Sequence, residues 1–222
     1  MPMTEVQADC AAAVRDVFDG AVVMVGGFGA AGLPTALLDA LVEHGARQLT
    51  LVSNNAGSGD DAIARLLAAG RVSKVVCSFP RSTNSEVFQE LYRNGDVSLE
   101  LVPQGTLAER IRAGGSGIPA FYTPTAVGTL LATGKEQRWF DGRAHLLEHA
   151  LRADFALICG EQADHEGNLL YRKAARNFGP IMAMAARTTI AQVRRVVALG
   201  ELDPETVVTP GIFVDRVVEV PA

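Results

Sequence analysis

Two hydrophobic rhythms alternate over the first half of the chain. Short apolar runs stand at residues 21–25 (AVVMV), 48–53 (QLTLVS), 71–79 (RVSKVVCSF) and 97–102 (VSLELV). The first suits a strand buried on both faces, and the other three read as the next strands. Between them, apolar residues recur at helical spacing. "TALLDALVEHGA" follows Pro34, which suits a first-turn helical position. "DDAIARLLAAG" puts Ile63, Leu66 and Leu67 on one face and stops at Gly70. Thr83 with Glu86, and Thr106 with Glu109, have capping-box spacing ahead of "VFQELYRNG" and "LAERIRAGG". Strands alternating with helices of this length predict βαβ units: an α/β fold with an open, mainly parallel sheet flanked by helices.

From Gly114 the rhythm changes. "GGSGIPAFYTPTAVGT" is rich in Gly, Pro and Thr and reads as a long loop, of the kind that is often functional. A polar stretch around Trp139 then leads to a short helix expected over residues 144–151 and a strand over 155–160. "QADHEGNLLY" has the look of a turn between two strands, "IMAMAAR" of a buried helix start and "VRRVVAL" of another strand, and "TPGIFVDRVVEV" ends in a last strand. No internal repeat, low-complexity run or clear linker interrupts the chain. A single domain over residues 1–222 is the expectation, with two lobes divided near Gly115 as the alternative.

Composition narrows the function classes. The 222 residues are 48% hydrophobic and 20% charged, ordinary for a soluble domain. Residues 21–38 carry no charge and are long enough to cross a bilayer, but four glycines and Pro34 among them favour a buried strand, loop and helix in series. A net charge of −5 gives no electrostatic reason to expect nucleic acid or an anionic membrane surface as partner. Cys10, Cys77 and Cys159 lie far apart, and the four histidines lack ligand spacing. A disulfide framework and a zinc site are therefore not expected, nor is any other metal. The N-terminal region, with Glu5 and Asp9, lacks the pattern of a signal peptide, and a cytoplasmic location is expected.

In a parallel sheet, ligands bind beyond the carboxyl ends of the strands, where helix N-termini bring unpaired N–H groups. Four segments reach that edge: Gly26-Gly27-Phe28-Gly29, residues 53–59 (SNNAGSG), residues 78–82 (SFPRS) and Pro103-Gln104-Gly105-Thr106. Apart from Arg81 they offer small or neutral polar groups, suited to a carbonyl or carboxylate. Gly27, Gly29 and Gly32 also fit the spacing G-x-G-x-x-G. A nicotinamide site would want an acidic residue at the end of the second strand, where Ser53-Asn54-Asn55 stand instead. It would also want the glycines at the helix start, which Pro34 delays. Both requirements fail, and no G-x-x-x-x-G-K-[ST] loop occurs.

"DGAVVMVGGFGAAGLP" (19–34), "VSNNAG", "VPQGTLAERIRAGGSGIPAFYTPTAVGT", "RADFAL" and "YRKAARNF" together resemble the signatures of family I coenzyme A transferases, over nearly the whole chain. "NNAGSGDDAIARLL" and "VVCSFPRSTNS" are most similar to the A (alpha) subunits of the members that act on 3-oxo acids. The resemblance implies a CoA-transferase-like fold, a coenzyme A thioester as substrate and no permanently bound cofactor. It implies a ping-pong route in which a glutamate takes CoA from succinyl-CoA as a glutamyl-CoA thioester. That CoA then passes to a 3-oxo acid, 3-oxoadipate or alternatively acetoacetate. In the family this glutamate lies in a Ser-Glu-Asn-Gly motif on the B (beta) subunit, and this chain has no such motif. A B partner is thus expected, in an A2B2 assembly with the active site at the A–B junction.

The implied site residues carry plainer readings beside the functional ones. Gln104 suits an oxyanion donor at the thioester carbonyl, or a tie between loop and helix. Gly26, Gly27, Phe28, Gly29 and Gly32 suit close approach to CoA, or a tight connection that only glycine permits. Asn54, Asn55 and Gly105 could orient the acceptor carboxylate, although Asn is also a common turn former. Arg81 could bind the second carboxylate of a dicarboxylic acid, or simply be solvated. Glu161, Asp164 and Glu166 read as a solvated turn rather than an in-chain nucleophile. His149 and His165 have no Ser or Cys partner in their sequence context. Arg172, Lys173 and Arg176 could meet the partner chain, CoA phosphates or only solvent. A sugar-phosphate-binding α/β domain and a nicotinamide oxidoreductase remain as readings of other classes.

Overall fold

The computed structural model describes residues 4–82 and 84–221. The chain runs through β1 (Glu5–Gln7), α1 (Cys10–Val14), β2 (Val22–Val25), α2 (Thr35–His44), β3 (Leu49–Asn55), α3 (Ala62–Ala68), β4 (Val72–Phe79), α4 (Glu86–Asn94), β5 (Ser98–Leu101) and α5 (Gln104–Gly115). It continues through β6 (Ala120–Thr123), β7 (Gln137–Phe140), β8 (Arg143–His149), β9 (Ala153–Cys159), β10 (Gln162–Asp164), β11 (Leu169–Leu170), α6 (Gly179–Ala185), β12 (Ala186–Val193), β13 (Arg195–Val197) and β14 (Arg216–Glu219).

Eight strands form the main sheet, in the order β1-β14-β12-β9-β2-β3-β4-β5, and every neighbouring pair is parallel. From β2 the chain winds outward through β3, β4 and β5. It then returns to β9 on the other side of β2 and winds outward again through β12 and β14. Winding therefore reverses between β2 and β9, which opens a crevice at their carboxyl ends. Alternate side chains of each strand serve opposite faces. Val23 and Val25 pack with Leu37, Leu38 and Leu41 of α2 and Leu66 of α3. Met24 packs with Leu107 and Ile111 of α5 and Met182 of α6. The uncharged stretch 21–38 is thus a strand, a loop and part of a helix. Among the described residues no helix is long and apolar enough to cross a membrane.

Several sequence expectations need correction. Residues 144–151 are not a helix: β8 covers most of them, between β6 and β7 in a small antiparallel sheet. Ala, Leu and Glu favour helix, but pairing with two strands outweighs that weak preference. A tight turn at Asp141 and Gly142, with φ of 49° and 73°, sets up the hairpin. The long loop after Gly114 is shorter than expected, because α5 extends to Gly115 and β6 lies within the remainder. "VRRVVAL" does hold a strand, the short β13, but the longer β12 over Ala186–Val193, a member of the main sheet, is not expected from the sequence. Its polar residues disguise it, yet Thr189 is buried with its hydroxyl donating to the Ala183 carbonyl at 2.9 Å.

Helix starts differ as well. Pro34 and Pro103 each precede the first helical residue, of α2 and α5 respectively. Pro103 caps α5 with its carbonyl, which accepts from the Leu107 amide at 2.8 Å, so Thr106 lies inside the helix and the capping box with Glu109 does not form. Thr83 of the other expected capping box lies outside the described residues; α4 follows Ser85.

Candidate functional site

A cavity of about 720 Å³ opens at the carboxyl ends of β3, β4 and β5, and all four rim segments reach it. Phe28 and Gly29 come from the loop after β2, Asn54, Asn55 and Ser58 from the end of β3, Phe79 and Ser82 from the end of β4, and Gln104 from the start of α5. Ala30 and Asp61 complete the lining. Phe28 and Phe79 remain 50% and 56% exposed, so two aromatic faces at the cavity are open to whatever docks there.

The polar groups point to chemistry without fixed charge. Asn54 is buried, and its side-chain oxygen accepts from the Ser78 hydroxyl at 3.2 Å. Asn55 folds its oxygen back on the Gly57 amide at 2.8 Å, an Asx turn. Both the turn-forming reading and the site-lining reading of Asn55 therefore hold, and neither carboxamide N–H₂ is engaged among the described residues. Gln104, the first helical residue of α5, likewise makes no side-chain hydrogen bond among them. At this position the unpaired amides of the first turn reinforce it with the positive end of the helix dipole. Arg110 holds the helix in place, donating to Glu100 at 2.9 Å and to the His149 carbonyl at 2.7 Å. The one carboxylate on the cavity wall, Asp61, is occupied: its oxygens accept from the Ser58 and Ala64 amides, each at 2.8 Å, as the cap of α3. Among the described residues no group of His, Cys, Asp and Glu could hold a metal ion.

The glycine-rich loop is held by a residue to which sequence reasoning gives no role. Asn177 accepts from the Gly27 amide at 3.1 Å and donates to the Ala31 carbonyl at 2.9 Å. Between those points Phe28 and Ala31 exchange backbone hydrogen bonds of 3.0 and 3.2 Å, which pins the loop tip. Gly27 (φ 126°) has a backbone that suits glycine alone, and a Cβ on Gly32 would sit 2.5 Å from the Ala175 carbonyl oxygen. No spacing rule links residue 177 to residue 27. The motif "YRKAARNF" is the only trace of it in the sequence.

The other expected site residues are distributed differently. Gly26 continues the sheet, its amide donating to the Leu157 carbonyl at 2.9 Å. Gly26, Gly27 and Gly105 do not line the cavity, and Gly32 lines a second one on the far side of the loop. Arg81 is exposed beside Ser82 and outside the lining. Asp164 corrects the picture of a wholly solvated turn: it is buried, accepting from the Glu166 and Asn168 amides at 3.0 Å each.

Residues 8–220 match the family described as coenzyme A transferase. The A subunit of the 3-oxoadipate CoA-transferase of Pseudomonas putida is 64% identical over 95% of this chain and 91% of its own length. The A subunit of the succinyl-CoA:3-ketoacid coenzyme A transferase of Xanthomonas campestris pv. campestris (strain B100) is 51% identical, over 95% and 87%. Among solved structures, the acyl-CoA transferase of E. coli O157:H7 in a thioester complex with CoA shares the fold, with a TM-score of 0.85 at 24% identity. The match covers 98% of this chain and 47% of that one, so this chain spans about half of the longer polypeptide.

Proposed function

Because the chain belongs to the coenzyme A transferase family, we propose that it is the A subunit of a two-chain enzyme that moves CoA from succinyl-CoA to 3-oxoadipate. The observation that carries this reading is the convergence of Gln104, Asn54 and Asn55 on one cavity whose single wall carboxylate, Asp61, is engaged as a helix cap. Such a site stabilises a developing oxyanion and supplies no nucleophile. The nucleophile is a glutamate of the B subunit, carried in the Ser-Glu-Asn-Gly motif that this chain lacks. Its carboxylate attacks the thioester carbonyl carbon, and negative charge moves to the carbonyl oxygen, where the Gln104 carboxamide donates. The carbon–sulfur bond breaks and the CoA thiolate leaves. The thiolate then attacks the glutamyl carbonyl of the resulting anhydride and succinate departs, leaving glutamyl-CoA. The acceptor acid runs the same steps in reverse order and regenerates the glutamate. A neutral donor aimed at such an oxygen is worth about 3–4 kcal/mol.

In this reading Asn54, Asn55 and the Gly105 backbone orient the acceptor carboxylate, and Gly26, Gly27, Phe28, Gly29 and Gly32 form the CoA-facing loop. Arg81 reaches the second carboxylate of the acceptor from outside the cavity wall. The assembly is A2B2, each A chain is one domain, and the free thiols of Cys10, Cys77 and Cys159 suit a reducing cytoplasm. A second acceptor, acetoacetate, is favoured by the likeness to the Xanthomonas relative. Co-expression with a B chain bearing the motif, followed by transfer assays from succinyl-CoA to each acid, decides between them. Preference for 3-oxoadipate supports the proposal; preference for acetoacetate replaces its acceptor; no transfer to either acid refutes it.

A further inference from the structure

The second cavity, about 600 Å³, lies at the crevice where the winding of the sheet reverses. Its walls come from Ala30–Leu33 after β2, from Cys159–Glu161 at the end of β9 and from the residues that close β12 and β14. This is where open α/β sheets hold ligands. Arg172, Lys173 and Arg194 line it with one carboxylate, Glu161, whose nearest approach to Arg194 is 3.6 Å. Burial pushes the Cys159 thiol up, so that group adds no negative charge at neutral pH. The excess of cations stands out in a chain of net charge −5. Elsewhere Arg65, Lys74, Lys135 and Arg216 sit in close ion pairs. Arg172 and Lys173 have no carboxylate within 4.0 Å among the described residues. Lys173 also holds a left-handed backbone, φ 51°, uncommon for a side-chain-bearing residue.

The two cavities share Ala30. Between them runs a saddle of small residues, Gly29 to Gly32, and a Cβ at Gly29 would meet nothing within 4 Å. A long, thin ligand can therefore lie across the loop, with a neutral reacting end in one cavity and an anionic end in the other. A CoA thioester has that shape and charge distribution. We propose that Arg172, Lys173 and Arg194 form the subsite for the phosphate groups of the CoA thioester. This rests on the CoA-transfer function proposed above.

The test uses the assembled two-chain enzyme with Arg172→Ala, Lys173→Ala, Arg194→Ala and the double variant of Arg172 and Lys173. Each single change is expected to raise the KM for succinyl-CoA about tenfold, the loss of one charge-assisted contact. The KM for the acid and kcat should stay within about twofold, and Lys173→Arg should restore most of the loss. Inhibition by adenosine 3′,5′-bisphosphate, which carries the 3′-phosphate and one of the two 5′-phosphates of CoA without the thioester, should weaken in parallel. An unchanged KM for succinyl-CoA, or an equal rise for both substrates, overturns the subsite. If the unsubstituted assembly transfers no CoA, the functional reading fails instead. Calorimetric binding of the bisphosphate to the unsubstituted and double-variant assemblies then decides the subsite alone: tighter binding to the former upholds it, and equal or absent binding rejects it.

Discussion

Two cavities share one edge of the sheet and one loop, yet they differ in charge. The cavity at β3 to β5 presents amides, hydroxyls and two phenylalanines, and its one carboxylate is taken up as a helix cap by two backbone amides. The one between β2 and β9 presents three cations. The difference follows from what each end of a reaction needs. Where bonds exchange, only interactions stronger in the transition state than in the ground state raise the rate. A fixed cation there would hold the substrate carboxylate as firmly as the oxyanion. At a remote, non-reacting end, charge serves binding without that cost. The glycine-rich loop keeps the two environments apart while letting a ligand span them.

The largest expected effect lies in the cavity at β3 to β5. Gln104→Ala in the assembled enzyme should lower kcat by about 10²–10³, with little change in the KM for succinyl-CoA. A variant that instead raised KM at constant kcat would move Gln104 from oxyanion stabilisation to ground-state binding, and the contrast between the cavities would blur. Asn177 touches the loop that both cavities share. Asn177→Asp keeps the acceptor for Gly27 but loses the donor to Ala31, so kcat and KM should worsen together, by about tenfold in kcat/KM. An effect on KM alone would tie Asn177 to the cationic side only. Gly32→Ala acts on the saddle from beneath, where φ is 75° and the Ala175 carbonyl leaves no room. It should cost about 1–3 kcal/mol of stability, seen as a drop in melting temperature. An unshifted melting temperature would mean that segment 172–177 is not packed firmly against the loop.

Much of this is legible in sequence because local chemistry carries it. Apolar runs of β-branched residues mark β2 to β5, and residues at the ends of those strands are also ones that line the cavity at β3 to β5. Winding direction then places them on one edge without any long-range information. What stays hidden depends on contacts far apart in the chain. Asn177 acts on Gly27 across 150 residues. β8 is a strand only because β6 and β7 flank it, and β12 carries polar residues whose burial depends on α6 behind it. Arg81 belongs to the same rim segment as Ser82, yet only Ser82 lines the cavity, a distinction that sequence adjacency does not carry. Asp61 escapes notice as a wall residue because its place ahead of a helix already accounts for its chemistry.

The central claim is that this chain stabilises the reacting oxygen and another chain supplies the nucleophile. Its most direct test is to mix the two-chain enzyme with succinyl-CoA alone, denature it rapidly and measure the intact mass of each chain. The account predicts a CoA adduct on the partner chain, at the glutamate of its Ser-Glu-Asn-Gly motif, and no modification of this one. An adduct on Glu161, Glu166 or any other carboxylate of this chain would contradict it.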